Sequence, residues 1–211
     1  MAIIARETKS YEVTVRGISP LLMNPMTMQQ LMDIHNKVSK PKKTDVDLKE
    51  VAGEKLYTNE KGQIGMPMQN LYSAIVEAGR NVEFRPKKKV STKDTTLVPV
   101  FLSFSEEFFP FTNGAKWVPD LRRGINPGNQ MTKVPVAVIR PKFSEWEFKC
   151  NITVEHAGDH GVSVETVQKL FEWAGKAVGL CDFRPTCRGP FGRFEVKDWK
   201  EITNGNGSAK H

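Results

Sequence analysis

The 211-residue sequence predicts an α+β fold of the ferredoxin-like (RRM-like) βαββαβ type, carrying large insertions that include a hairpin thumb. Short segments alternate apolar and polar residues with period two, the mark of half-buried strands. Two longer segments place apolar residues at helical spacing. With the polar and basic stretches set aside as insertions, the order reads strand, helix, strand, strand, helix, strand. Such a fold packs two helices on one face of a four-stranded antiparallel sheet and leaves the other face free for a partner.

In residues 10–17, Tyr11, Val13 and Val15 alternate with Glu12, Thr14 and Arg16, so this is the first strand. Residues 18–25 form a turn with a buried apolar centre. Over 26–38, Met28, Leu31, Met32 and His35 fall at helical spacing. A methionine stripe of this kind is read as core or a lid packed on core, the other reading being a methionine-rich binding groove, and His35 as a helix-face residue. The polar run 39–50 reads as a mobile loop. Asp45 and Asp47 alternate in it as calcium ligands do, but the glycine and terminal Glu of a calcium loop are missing, so solvated charge is expected. Residues 65–79 read as a helix with Pro67 at its first position, Leu71, Ile75 and Ala78 inward, and Gly79 closing it.

The continuous apolar stretch 97–104 reads as a strand, and 146–155 as another, with Phe148, Cys150, Ile152 and Val154 on one face. Residues 163–175 open with a Ser163-x-x-Thr166 cap and carry Val167, Leu170, Phe171 and Ala174 on one face, a second helix. Residues 192–196 give the last strand. One domain over 1–202 is expected, with insertions at about 18–64, 80–96 and 105–142, and a disordered tail over 203–211.

Cys150, Cys181 and Cys187 match neither zinc spacings nor a disulfide framework and read as reduced thiols of a cytoplasmic protein. Cys181 and Cys187 lie near enough in sequence to meet as a redox pair, but no helix-start C-x-x-C accompanies them. No signal-peptide core and no membrane-length apolar run is present, so a soluble chain without a membrane partner is expected.

The charge is uneven. Against 24 acidic residues stand 31 Lys and Arg, a net +7. Residues 80–94 hold six basic residues, Arg80, Arg85, Lys87, Lys88, Lys89 and Lys93, against Glu83 and Asp94. Residues 121–142 hold five, Arg122, Arg123, Lys133, Arg140 and Lys142, and no acid. Positive charge gathered on insertions while the scaffold stays near neutral suits phosphate tracking, since each neutralised phosphate releases counterions. A solvated basic loop is the bland reading of either insertion taken alone. Residues 121–140 read as a protruding hairpin with a Gly/Asn/Pro tip between a basic arm and a Val/Ile arm. Such an arm would insert between nucleotides or reach a neighbouring subunit.

The densest signal is 178–196, where three glycines, two prolines, Arg184, Arg188, Arg193, Phe183, Phe191 and Phe194 lie between a helix and a strand. Glycines let a backbone approach a ligand, and arginines with aromatics suit phosphates and unstacked bases. The expected nucleic-acid contacts are Arg80, Arg85, Lys87, Lys88, Lys89, Arg122, Arg123, Lys133, Arg184, Arg188, Gly189, Phe191, Gly192 and Arg193. Phe183 or Phe191 would supply stacking worth about 1 to 3 kcal/mol per base, and Phe191 reads equally as a core residue starting the last strand.

Three segments together resemble the RAMP superfamily, the ferredoxin-like RNA-binding proteins of CRISPR effector complexes, and within it the repeating backbone subunits. Residues 11–24 look like the family's opening strand and Pro-Leu turn, 64–78 like its proline-led helix motif, and 177–196 like its glycine-rich loop with a Gly-aromatic-Gly step. The sequence departs from the pattern at Gly79-Arg80, where the helix motif lacks the usual glycine and basic residue, and in the first turn, which lacks the usual glycines. The likeness implies single-stranded RNA held along a filament of subunits, each covering a few nucleotides, with a hairpin wedged between them. Partners would be single-stranded RNA or DNA, the chain itself and other effector-complex subunits. A phage relative binding single-stranded DNA would look the same.

Some family members cut RNA without metal through a histidine, and some backbone subunits through a loop aspartate. His156 and His160 flank a turn near one another, and Asp33, Asp45 and Asp47 sit in the corresponding insertion, but no constellation is fixed around any of them. A non-catalytic binding module that needs no cofactor and no metal is therefore expected, with a metal-independent RNA endonuclease as the alternative.

Overall fold

A computed structural model describes residues 7–38, 47–126, 134–156 and 162–202. In chain order these form β1 (Glu7–Gly17), β2 (Leu21–Leu22), α1 (Met28–His35), α2 (Leu48–Gly53), β3 (Gly65–Pro67), α3 (Met68–Ala78), β4 (Glu83–Arg85), β5 (Lys88–Lys89), α4 (Val98–Phe101), β6 (Leu102–Phe104), β7 (Phe108–Pro110), β8 (Val118–Asn126), β9 (Val134–Phe143), β10 (Glu147–His156), α5 (Val164–Trp173) and β11 (Phe194–Ile202). A π-helical turn, Ala174–Val178, prolongs α5, and a short 3₁₀ turn, Pro185–Cys187, interrupts the loop before β11.

The principal sheet has the order β11-β1-β10-β6, antiparallel throughout, which is the ferredoxin-like arrangement. Tyr11, Val13 and Val15 of β1 sit opposite Ile152, Cys150 and Phe148 of β10, and all six are buried. Leu71, Ile75 and Ala78 of α3 and Val167, Leu170 and Phe171 of α5 close the same core from one side. Alternation on the strands and helical spacing on the two helices thus meet in one apolar layer.

Four elements differ from their sequence reading. Only 102–104 of the stretch 97–104 is strand, because Val98–Phe101 makes a helical turn with Pro99 near its start, where the missing N–H is harmless. The last strand runs on to Ile202. Its register shifts between Thr14 and Val15, so Lys197 is the bulged residue and the strict alternation breaks in sequence but not in space. Trp199 resumes the inward face against Tyr11 and Phe171. Residues 65–67 form a strand paired with β7, so Pro67 precedes the first helical residue of α3. The methionine-rich helix forms, capped by Thr27 and Gln30 in a reciprocal capping box, but buries none of its residues; Met28, Leu31 and Met32 are exposed rather than packed on core.

The loop assigned to 39–50 yields α2, whose N-cap is Asp47, the side chain accepting from the Lys49 N–H at 2.8 Å. Asp45 lies outside the described residues. A second sheet, β2-β9-β8, contains the expected hairpin, and α2 packs against it. The hairpin tip, His160 and the 203–211 tail lie outside the described residues. No helix among the described residues is long and apolar enough to cross a membrane.

The outward positions of the sheet are polar and their charges pair across strands. Arg16 meets Glu195, Lys149 meets Glu12 and Lys197 meets Glu147, at 2.6, 2.8 and 3.0 Å.

Candidate nucleic-acid interface

The three segments singled out in the sequence converge on the glycine-rich loop. The Gly192 N–H donates to Pro20 O and the Asp182 N–H to Leu22 O, at 2.8 and 3.0 Å, tying the loop to the turn after β1. Asn70 of α3 and Met66 of β3 approach Cys181 Sγ at 3.7 and 3.8 Å. The loop is tight. A Cβ on Gly189 would lie 1.8 Å from Phe183 O, and one on Gly192, whose φ is +69°, would lie 2.0 Å from Leu180 O. These two glycines close the loop on itself. Cys181, Phe183 and Arg188 hold left-handed backbone at φ of 59°, 51° and 61° although none is glycine. Strain of this kind persists where the surroundings over-determine it and gathers at binding sites.

The β8–β9 hairpin lies against this loop. Arg122, ion-paired with Asp120, places its guanidinium 4.8 Å from the centre of the Phe191 ring. Arg140 Nε lies 2.5 Å from Asp182 Oδ2, an ion pair without an aligned hydrogen bond. Asp182 also accepts from Asn24, and Lys55 donates to Asn24 Oδ1 at 2.9 Å and to the Ile139 carbonyl at 2.8 Å. Burial, then the neighbouring Arg140, holds the Lys55 ammonium below its ordinary pKa. Burial, then Cys181, pushes the Tyr57 phenol up. The Cys181 thiol is pushed up to about 12 by burial, which leaves it a poor partner for exposed Cys187 in thiol exchange.

The expected contact residues separate into groups. Arg123, Arg188 and Arg193 are exposed and form no side-chain hydrogen bond or ion pair among the described residues. Arg184 is committed inward, donating to Cys181 O and Thr186 Oγ1 at 2.8 and 3.1 Å. Phe191 is buried, with Phe183 6.0 Å away and Arg122 4.8 Å from its ring centre, three residues before β11 and outside the principal core cluster. Phe183 is 39% exposed and presents the accessible ring. Gly189 is half-buried and Gly192 buried. Arg80 pairs with Glu77 and with Thr92 O, Arg85 lies over Phe84, and Lys87, Lys88 and Lys89 stand exposed on the β4–β5 hairpin. Lys133 lies outside the described residues, as does the side chain of His156.

Beside the loop, a groove of about 450 Å³ runs between α3 and the 3₁₀ turn, lined by Asn70, Ser73, Glu77, Arg184, Thr186 and Cys187. Asn24, Lys55, Tyr57 and Asp182 were not foreseen as site residues. They are scattered over 158 positions, and no local pattern joins them before the chain folds.

No protein-family model matches the sequence, and no curated protein matches it. Among solved structures the fold is similar to a chain in the cryo-EM structure of the Type III-B Cmr-beta bound to cognate target RNA, with a TM-score of 0.51 and 10% sequence identity. The likeness covers 92% of this chain and 61% of that one, so the chain spans about three fifths of the length of the chain it matches. At that identity the likeness is one of fold.

Proposed function

We propose that this chain binds single-stranded nucleic acid, RNA in preference to DNA, without cutting it, as a repeating backbone subunit of a CRISPR-like ribonucleoprotein filament. The observation that carries the proposal is the junction of hairpin and glycine-rich loop: the loop presents the accessible Phe183 ring and the exposed Arg188 and Arg193, β8 carries the exposed Arg123, and none of the three arginines is paired among the described residues. Exposed guanidinium groups and an exposed aromatic on the same two elements match the two terms of single-strand binding, phosphate neutralisation and base stacking. RNA and the filament are supported by the three motif segments meeting at one place and by a fold shared with a chain from an RNA-bound structure.

The test is fluorescence anisotropy with matched single-stranded RNA and DNA over a salt series, with gel analysis for cleavage. Binding should weaken steeply with salt, favour RNA and leave the strand intact with or without magnesium. Replacing Arg123, Arg188 and Arg193 by Ala should flatten the log–log salt slope by about 2, at about 0.7 per lost single-strand contact. An unchanged slope would overturn the site. Tighter binding of DNA would support the phage-type reading, and cleavage abolished by His156→Ala or His160→Ala would make the chain a nuclease. Electron microscopy of the protein with RNA should show regular filaments, and isolated particles at saturating RNA would remove the filament claim.

A further inference from the structure

A second charged surface lies on the helical side of the molecule, and the glycine-rich loop does not account for it. Trp173, the last residue of α5, is 42% exposed, although a large indole is usually well covered. The π-helical turn begins at the next residue, and such turns recur at functional positions. Trp173 lines a groove of about 550 Å³ together with Asn81, Val82, Lys169 and Lys176. The acidic residues there are Glu83 and Glu172. The β4–β5 hairpin continues directly from Glu83 and adds Arg85, Lys87, Lys88 and Lys89, all exposed. Counted over groove and hairpin, six cations stand against two carboxylates, and the Glu83 carboxylate is partly engaged by the Lys87 backbone N–H at 3.3 Å.

The two grooves share no lining residue, but both border α3 and the π-helical turn, which pack together. Glu77 and Val178 line the groove beside the loop, while Asn81 and Lys176 line the second, so the linings lie within four residues of one another on both segments. Arg80 follows α3 between Glu77 and Asn81 in the chain, held by Glu77 and Thr92 O.

We propose that the groove around Trp173 is a second subsite for single-stranded nucleic acid, in which a base stacks on the indole, Lys169, Lys176 and the β4–β5 hairpin hold phosphates, and Arg80 marks the strand's route from the loop. It rests on the strand-binding reading above for the identity of the ligand. An exposed indole among lysines fits a nucleotide better than a protein partner, because lysine is depleted in protein–protein interfaces whereas ammonium groups and a π-face are what an unpaired strand needs. The path also gives the basic residues of 80–94 a role that the loop, by its position, does not.

The experiment compares fluorescein-labelled oligouridylates of about 8 and about 30 nucleotides, the shorter within the span one module covers. In the full chain, Trp173→Ala and the double variant Lys169→Ala/Lys176→Ala should each weaken the longer RNA at least about fivefold, while the shorter, held at the loop, changes by less than about twofold. Trp173→Phe should retain most of the affinity. Wild-type affinity of both Trp173→Ala and the lysine variant for the longer RNA would overturn the inference. Loss of that affinity in these variants, together with no effect of the Arg123/Arg188/Arg193 substitutions on either RNA, would sustain this subsite and sink the loop site instead. Competition by polyglutamate as strong as by RNA of equal charge would also overturn it, marking a surface for an acidic protein.

Discussion

On the helix-free face of the sheet, Arg16, Lys149 and Lys197 each reach a carboxylate across the strands, whereas on the hairpin and the loop Arg123, Arg188 and Arg193 reach none among the described residues. Both regions are rich in cations, yet only the second has guanidinium groups available to an outside anion. The sheet face contributes little net charge and presents no aromatic ring among the described residues. A net charge of +7 therefore says less about binding than how that charge is distributed between paired and unpaired groups. The comparison also moves the expected ligand surface. Ferredoxin-like folds offer an open sheet, and here the candidate surface is the rim made by the loop, the hairpin and the helices.

The largest expected effect tests whether the loop is a built structure. Gly192→Ala adds a Cβ 2.0 Å from the Leu180 carbonyl at a left-handed position and should cost about 3 kcal/mol of stability, read from urea unfolding. Gly62→Ala, at φ +72° with nothing within 4 Å, should cost only about 1 kcal/mol. Equal costs at the two positions would show that the loop tolerates rearrangement and is not a fixed platform. Next in size is the contrast between the two sets of cations. Removing Arg123, Arg188 and Arg193 together should lower RNA affinity about 100-fold at 0.1 M salt, while removing Arg16, Lys149 and Lys197 should lower it by less than about threefold. A reversal of that order would place the strand on the open sheet.

The two phenylalanines of the loop give a smaller contrast. Phe183→Ala should weaken RNA binding by about 1 to 2 kcal/mol in titrations and leave the unfolding midpoint nearly unchanged, because its ring is accessible. The sequence left Phe191 open between stacking and core, and the structure covers its ring with Arg122, a residue 69 positions away. The same limit explains what was legible and what was not. The βαββαβ order, the hairpin and the three convergent segments were readable, because periodicity and turn residues are local. The bulge at Lys197 broke that periodicity and cost the last strand its second half. The inward turn of Arg184, the paired state of the sheet charges and the Lys55–Asn24–Asp182 cluster depend on which distant residues become neighbours, and charge counting cannot distinguish a free arginine from a spent one. Exposure of α1 was hidden for the opposite reason, since an apolar stripe reads the same whether or not a core lies beneath it.

The smallest effect separates the two regions by pH. The hydrogen bond from Lys197 holds the Glu147 carboxyl below its ordinary 4.5, against the opposing effect of burial. A depressed folded-state pKa contributes stability that is present above 4.5 and is lost as pH falls through the lowered value, so the sheet ladder should weaken only in acid. Lys55 acts at the other end. Its folded pKa is depressed below 10.5 chiefly by burial, so between that lowered value and 10.5 the unfolded chain binds more protons and stability rises with pH. Both groups are partly solvated, which keeps each contribution under about 1 kcal/mol. Denaturant midpoints measured against pH should show Glu147→Gln flattening the acid limb alone and Lys55→Met removing the alkaline rise alone. If either variant altered the opposite limb, the ladder and the loop cluster would be one coupled network, and the independence of the paired face from the binding rim would fail.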